Sequence, residues 1–199
     1  MKKIIPKIQI DQQEELTMAL TALSSNQIIL CPTDTVWSLA GRIRPTKNVE
    51  RLQKLSAGRP DYPLELLVSS LEMFRGVSKE VHPRIEMLLS YHQRPLSVLL
   101  NLNDNIQSLL GLANQEIPVR LIKNGFIHDL IETFGEPLLS IPASKLDAKI
   151  PQYFGQLRSD ILEEADYIVR VKQRDRNPKV PSVLVRLPEN AEEFDFLRD

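Results

Sequence analysis

The sequence predicts a single-domain α/β protein whose twisted mixed sheet is covered by helices. A chain of 199 residues with a hydrophobic fraction of 42% suffices for one core. Short apolar runs alternate with helical patterns along the whole chain. Segments such as 95–100 are apolar on both sides, which indicates helices on both faces of the sheet. We assign residues 1–188 to this domain and residues 189–199 to an acidic, loosely held C-terminal tail.

The first half of the chain begins with alternating residues at 3–10, which predict a strand. Asp11 is the expected N-cap of a helix that runs to Ser24. Further strands are predicted at 27–31, 36–43 and 64–68. Further helices are predicted at 46–55, with Thr46 as the cap, at 71–74 and at 80–91.

The second half continues the alternation. Strands are predicted at 95–100, 117–121, 137–141, 166–171 and 180–187. Helices are predicted at 106–112 and 126–134. No repeat and no low-complexity linker interrupts this order, so one continuous sheet is expected.

Composition excludes several classes of function. Lys and Arg number 25 against 26 Asp and Glu, so the whole molecule is not an electrostatic nucleic-acid binder, although a local basic face stays open. A single cysteine, Cys31, excludes an internal disulfide, and its apolar strand predicts an inert buried thiol. His82, His92 and His128 have no metal-ligand spacing, so no metal site is expected. No signal peptide and no transmembrane segment is recognised, so we expect a cytoplasmic protein without membrane contacts.

The first candidate site is the turn Pro32-Thr33-Asp34-Thr35. It follows an apolar strand, and ligands of α/β sheets favour the edge where strands end. Its two hydroxyls and one carboxylate suit a small polar substrate or a phosphate. The alternative is a local turn in which these side chains satisfy their own backbone. Trp37 either lines a pocket or packs in the core, and core packing is favoured.

Two arginines and one serine are further candidates. Arg59 lies between Gly58 and Pro60 and suits a bidentate grip on carboxylate or phosphate, or is an ordinary surface arginine. Arg120 follows a short apolar strand and is expected to point into the same cleft. Ser182 either donates to a phosphate or caps a turn.

A basic run precedes the last predicted strand. A solvated loop is the usual meaning of such a run, and a loop that faces a nucleotide or RNA is the alternative. Its members are Arg170, Lys172, Arg174, Arg176 and Lys179, opposed only by Asp175.

Together, the order of these motifs resembles the YrdC-like family, whose best-known members are threonylcarbamoyl-adenylate synthases. The resemblance spans about residues 5–187. It rests on Pro32-Thr33-Asp34-Thr35-Val36, on Arg59-Pro60 with Pro63-Leu64 behind it, on Pro95-Leu96-Ser97, on Val119-Arg120 and on Pro181-Ser182-Val183.

The resemblance implies a YrdC-like fold with a concave cavity, and a specific chemistry. Family members convert L-threonine, bicarbonate and ATP, with a divalent ion such as Mg²⁺, to threonylcarbamoyl-AMP for modification of adenosine 37 in tRNA. No tightly bound cofactor is expected, and double-stranded RNA or tRNA are the macromolecular partners implied. The roles implied here are catalysis for Arg59, substrate binding for Thr33, Thr35, Ser97 and Arg120, and nucleotide binding for Arg59, Ser144 and Ser182.

The chain departs from this pattern in ways that indicate a divergent member. The lysine of the family's K-x-R motif is replaced by Ala57, and its S-x-N motif falls on Pro142-Ala143-Ser144. Two functions therefore stay open, which are a synthase with weakened or lost activity and a non-catalytic nucleotide- or RNA-binding relative. Lys54, one helical turn before Ala57, and Lys145, next to Ser144, are the predicted replacements for the missing cation.

Overall fold

The nine strands that the structure describes form one mixed sheet, as the alternating sequence pattern predicts. This structure is a computed structural model, and it describes residues 11–44, 47–57, 62–112, 115–146, 148–188 and 193–199. Helices pack on both faces of the sheet, which confirms the single-domain α/β prediction. The predicted strand at 3–10, the cap Thr46 and the candidate Arg59 lie outside the described residues.

Most elements begin and end within a few residues of their predicted bounds. The strands are β1 (Ile29–Pro32), β2 (Trp37–Arg42), β3 (Glu65–Val68), β4 (Leu96–Asn101), β5 (Glu116–Leu121), β6 (Leu138–Pro142), β7 (Tyr167–Ile168), β8 (Val183–Arg186) and β9 (Asp195–Arg198). The helices are α1 (Gln12–Ser24), α2 (Lys47–Ser56), α3 (Leu71–Val77), α4 (Pro83–Tyr91), α5 (Asp104–Leu110), α6 (Phe126–Phe134) and α7 (Ser159–Leu162).

Local chemistry explains where helices start and stop. The Asp11 carboxylate accepts a hydrogen bond from the Gln13 amide at 2.9 Å and caps α1, as expected. Helix α6 ends at Gly135, whose φ of 73° needs a residue without a Cβ. The segment 148–165 carried no predicted element, and its helix α7 spans only four residues. So short a segment has no periodicity that a sequence pattern can detect.

The strand order, β7-β1-β2-β6-β3-β5-β4-β8-β9, decides which side chains meet. Successive side chains of a strand point to opposite faces. One face carries an apolar cluster with Leu66 and Val119, which packs under α2 and α3. The other face carries Ile29 and Leu67 under α1 and α6.

The part of that second face that α1 and α6 do not cover carries polar side chains. The polar side chains there are all buried. They point to the same face of the sheet as the apolar residues that lie under these two helices. Buried polar groups in the middle of a sheet are costly unless they bond one another or a ligand, so this patch marks the candidate site. Its members are Ser38, Glu65, Ser97, Arg120 and Ser140.

The C-terminal residues belong to the sheet. Residues Asp195–Arg198 form β9, which pairs antiparallel with β8. The Arg94 guanidinium lies 2.8 Å from the Asp199 carboxylate. The expectation of a loosely held tail is therefore wrong for residues 195–199. The short, acidic segment carries no strand pattern of its own, and only its pairing with β8 defines it as a strand.

The sheet edge at β7 is tied to α1 by a buried carboxylate. Glu15 is 0% exposed. It accepts hydrogen bonds from the Tyr167 hydroxyl at 2.6 Å, the Arg170 amide at 2.8 Å and Arg170 Nε at 2.7 Å. The basic run thus begins with an arginine whose role is structural.

We expect this cluster to make stability sensitive to alkaline pH. Burial, and then the Glu15 carboxylate, raise the pKa of Tyr167 from 10.0 to about 12. Because the folded pKa lies above the unfolded one, the neutral phenol contributes stability that is complete below about pH 10 and lost as the pH rises towards about 12. Urea unfolding at about pH 9 and about pH 11 should show a smaller decline in Tyr167→Phe than in the wild type. Equal declines would contradict this.

Candidate active site

The turn after β1 contains one hydroxyl that holds the turn and one that faces the sheet. Thr33 Oγ1 donates to the Val36 carbonyl at 2.7 Å and accepts from the Thr35 amide at 3.1 Å. A hydroxyl has one proton, so the 3.0 Å contact between the two threonine oxygens must use the proton of Thr35. Thr33 thus satisfies the turn, while Thr35 keeps acceptor capacity for the site.

Arg120 lies at the centre of the site. It comes from β5, in the middle of the sheet, and is 1% exposed. Its Nη1 donates to Thr35 Oγ1 at 2.7 Å. Its Nη2 lies 3.2 Å from Glu65 Oε1, and its Nε lies 3.6 Å from Asp34 Oδ1. A guanidinium is tolerated at such depth because two carboxylates neutralise it.

A relay of hydrogen bonds continues from Glu65 across β4 and β8 to β9. Ser97 donates to Glu65 Oε2 at 2.9 Å, and its hydroxyl lies 2.7 Å from that of Ser182. Arg198 Nη2 donates to Ser182 Oγ at 2.9 Å. Since Ser97 has spent its proton on Glu65, Ser182 donates to Ser97. Every proton of the relay therefore points towards the Glu65 carboxylate.

These side chains enclose a small space, here called the central cavity. Its volume is about 10 Å³, which is room for roughly one water molecule. Arg198 stacks over the Tyr62 ring at 5.0 Å and closes the outer side. The polar lining comprises Thr35, Tyr62, Glu65, Arg120, Ser182 and Arg198. A ligand larger than water enters only if this wall moves.

Several polar atoms on this face have no hydrogen-bond partner within the described part of the chain. They are Asp34 Oδ1, Arg120 Nε and Nη2, and Ser140 Oγ. Buried donors and acceptors are nearly always satisfied in folded proteins. A donor pair and two acceptors left over in one place are the groups with which a small polar ligand would bond.

Cys31 and Trp37 lie beside the site without taking part in it. Burial raises the pKa of the Cys31 thiol to about 12, although the Arg120 charge lowers it slightly. The thiol is therefore inert near neutral pH, as predicted. Trp37 is 5% exposed, and its ring centroid lies 4.8 Å from that of Phe154. Trp37 thus packs in the core, as favoured, and it also lines a small cavity beside the turn after β1.

Other candidates from the sequence are not brought to the central cavity. Ser144 is buried next to Pro142, but Pro142 is the residue that lines the cavity. Lys54 is exposed on α2, and Lys145 Nζ lies 3.5 Å from Glu164 Oε1. Neither lysine is among the residues that line the central cavity. The positions of Lys54 and Lys145 thus give no support to the idea that either replaces the missing cation.

Two residues of the site were missed by the sequence interpretation. Glu65 follows the motif Pro63-Leu64 and was counted only as part of a strand. Arg198 was placed in the tail. The sequence contained one signal for Glu65, which is that an acidic residue lies in a strand between Leu64 and Leu66, both of which are buried. A charged residue at such a position usually has a partner.

No cluster of three metal-binding side chains occurs within the residues that the structure describes. Likewise, no helix in those residues is long and apolar enough to cross a membrane. The arrangement offers a paired guanidinium, two carboxylates and several hydroxyls in a buried pocket. Such a set is suited to binding a small molecule that carries both charges.

Comparison with known proteins shows which family has this architecture. The sequence matches the Sua5/YciO/YrdC family, described under telomere recombination, over residues 21–199. The chain belongs to this family. The resemblance inferred from the motifs is thereby confirmed. No curated protein sequence matches the chain significantly.

Several solved structures share the fold of this chain. E. coli YciO superposes with a TM-score of 0.79 at 18% identity, over 96% of this chain and 91% of that one. P. abyssi Sua5 complexed with L-threonine gives 0.75 at 20% identity, over 96% of this chain and 55% of that one. A full-length HypF in a phosphate- and nucleotide-bound form gives 0.70 at 19% identity, over 92% of this chain and 28% of that one. The chain thus spans about half the length of Sua5.

Proposed function

We propose that this protein binds L-threonine and ATP and forms threonylcarbamoyl-AMP, with the central cavity as the amino-acid site. The observation that carries the proposal is Arg120, buried between the carboxylates of Glu65 and Asp34, with two nitrogens that have no hydrogen-bond partner among the described residues. An α-amino acid presents a carboxylate and an ammonium group close together. A guanidinium flanked by carboxylates complements both.

Each side chain has a role in this proposal. Arg120 Nε and Nη2 hold the carboxylate of threonine, and Thr35 accepts from its hydroxyl. Asp34 Oδ1, which accepts no hydrogen bond within the described residues and lies 3.6 Å from Arg120 Nε, takes a proton from the ammonium group. P. abyssi Sua5, whose fold this chain shares, was solved with L-threonine.

The reaction follows from the neutral amine. Its nitrogen attacks the carbon of bicarbonate, water leaves, and a carbamate forms. A carbamate oxygen then attacks the α-phosphorus of ATP, and pyrophosphate leaves with the bonding electrons. Positioning and charge neutralisation are the protein's main contributions to such a transfer. Mg²⁺ would arrive with ATP and neutralise part of the phosphate charge, because it is usually bound through substrate phosphates and water rather than by a dedicated protein site.

A second function is favoured by the departures from the family pattern. Ala57 is exposed where the resemblance expects a lysine, and Pro142 lines the cavity where it expects a serine. Two groups that would hold phosphates are thereby missing. In this alternative, the protein binds a nucleotide or double-stranded RNA, such as part of a tRNA, without turning ATP over.

Calorimetry and a pyrophosphate assay separate the two. We expect L-threonine to bind the wild type, and Thr35→Val to weaken it about tenfold, because one hydrogen bond near charged groups is lost. Thr133→Val, on the exposed side of α6, should leave the affinity unchanged.

Pyrophosphate release that requires both threonine and bicarbonate supports the synthase. Binding of ATP or of a short RNA duplex without release supports the second function. Absence of binding by threonine, ATP and RNA at millimolar concentrations would overturn both.

A further inference from the structure

A groove runs between helix α4 and the edge strand β9, and we call it the α4–β9 groove. Strand β8 pairs with β4 on one side and with β9 on the other. The inward side chains of α4 belong to one apolar cluster with Val98 of β4 and Val185 of β8. The Arg84 guanidinium lies 5.5 Å from the centre of the Phe194 ring, just before β9. Helix and edge strand therefore lie side by side.

Large apolar side chains line this groove and are exposed. Arg84, Met87 and Tyr91 are three and four positions apart, so they share one side of α4. Phe196 pairs with Val185, and residues directly opposite each other point to the same face of a sheet, so its ring lies on the face that α4 covers. Tyr91 is 77% exposed, Met87 63% and Phe196 58%.

An exposed apolar surface of this size is typical of a docking surface. At about 200 Å² for each whole side chain, the three expose about 400 Å² together. Soluble chains rarely leave larger apolar patches uncovered, and such patches often mark contacts with other proteins. A standard interface buries about 800 Å² of each partner, and somewhat more than half of that is apolar. The three side chains would supply most of that apolar part.

The α4–β9 groove is acidic at the end where α4 and β9 begin. Glu193 and Asp195 are exposed there, and they form no ion pair within the described residues. Lys79 and Glu80, which precede α4, carry opposite charges. Arg84 is thus opposed by two carboxylates, and this end carries a net negative charge.

The opposite end of the groove is basic. Arg94 follows α4 and lies 2.8 Å from Asp199, which follows β9. Lys123 Nζ donates to the His92 carbonyl at 3.1 Å. Lys123 has no carboxylate partner in the described parts of the chain. Two cations therefore face one carboxylate, and the charge changes sign from one end of the groove to the other.

We propose that the α4–β9 groove binds the same groove of a second copy of this chain, related by a two-fold axis. Such an axis brings the acidic end of one copy onto the basic end of the other. It also sets the two α4 helices antiparallel, which places opposite ends of their dipoles together. Met87, Tyr91 and Phe196 pack at the centre, where aromatic side chains and methionine are enriched in interfaces. The inference does not depend on threonine binding in the central cavity.

The contact is made by side chains rather than by extension of the sheet. The pairing of β8 with β9 is irregular between Leu184 and Val185, and Asp195 places a charge on the edge strand. Irregularities and charges on an edge strand oppose pairing with a further strand. The second copy is therefore held by the groove and not by the backbone of β9.

Sedimentation of the full chain between about 1 µM and about 100 µM tests this surface. We expect the wild type to form dimers within this range. Tyr91→Glu and Phe196→Glu should each weaken the dimer about 100-fold, because a carboxylate then replaces an apolar side chain at the centre of the contact. The controls are Met18→Glu and Leu146→Glu, which change exposed apolar residues outside α4 and β9. Both should dimerise as the wild type does.

Charge reversal tests the two-fold arrangement separately. Asp195→Lys alone and Arg94→Glu alone should each weaken the dimer about tenfold, because like charges then meet across the contact. The double variant Asp195→Lys/Arg94→Glu exchanges the two charges and should recover most of the lost affinity. Such recovery supports the antiparallel arrangement of the two grooves.

Three outcomes would overturn the proposal. They are a wild type that stays monomeric over the whole range, an equal loss of dimer in Tyr91→Glu and Met18→Glu, and a double charge variant that is no better than its parents. A monomeric wild type would leave the groove to a different protein, and an equal loss would place the contact elsewhere on the chain.

Discussion

Replacement of Arg120 by methionine is expected to lower the free energy of unfolding by about 3–5 kcal/mol, because it leaves buried charge without a partner. Glu65 and Asp34 would lose the guanidinium that neutralises them, and Thr35 would lose its donor at 2.7 Å. The same change removes the group that we assign to the substrate carboxylate. Stability and ligand binding should therefore fall together in Arg120→Met.

Urea unfolding of a double variant separates these effects. Glu65→Leu alone should also destabilise, because Arg120 then keeps Asp34, at 3.6 Å, as its one carboxylate among the described residues. Arg120→Met with Glu65→Leu should recover most of the loss, since an apolar pair of similar volume replaces a buried ion pair at little cost. Threonine should bind none of the three. A double variant that is as unstable as the sum of its parents would show that the ion pair is not what holds these strands together.

The second large effect is expected for Glu15→Ala, with a loss of about 2–4 kcal/mol in the free energy of unfolding. The change removes the acceptor for the Tyr167 hydroxyl and for two donors of Arg170. The hydroxyl and the amide stay partly buried without a partner, which costs more than the loss of an exposed hydrogen bond. The edge strand β7 should open first.

Glu14→Ala is the matched control. Glu14 lies next in the chain and is 4.0 Å from the same arginine, but it is 69% exposed. An ion pair in water contributes between zero and about 1 kcal/mol, so its loss should be small. Urea unfolding measures both values, and hydrogen exchange of the β7 amides locates the opening. Equal effects of Glu14→Ala and Glu15→Ala would contradict the role given to burial.

Much of the fold was predictable because its signals are local. The mainly apolar segments at 27–31, 64–68 and 117–121 identify their strands without help from the rest of the chain. Asp11 is the N-cap of α1. Gly125 and Gly135 are the N-cap and the C-cap of α6. The elements that were missed are the ones that local signals do not define. Helix α7 spans four residues, and β9 is an exposed strand in an acidic segment.

Part of the candidate site was also predictable from local signals, and part of it was not. The turn after β1, Arg120, Ser97 and Ser182 were recognisable as motifs, and the structure brings them into one network. Glu65 and Arg198 were not recognisable, because each belongs to the site through a neighbour on another strand, 32 residues away for Glu65 and 16 residues away for Arg198. A motif records residue types at fixed spacing and contains no contact across a sheet.

The sequence by itself determined the α/β class, the order of the elements and the family, because periodicity and turn chemistry act over a few residues. Only the tertiary structure decided that β6 lies between β2 and β3, and that Glu65, Arg120 and Ser97 share one face. The tertiary structure also decided which cationic side chains pair with carboxylates and which line a cavity. The physical reason is that packing between distant segments determines which strands pair. The strength of the electrostatic interaction between two charges depends on how deeply that packing buries them.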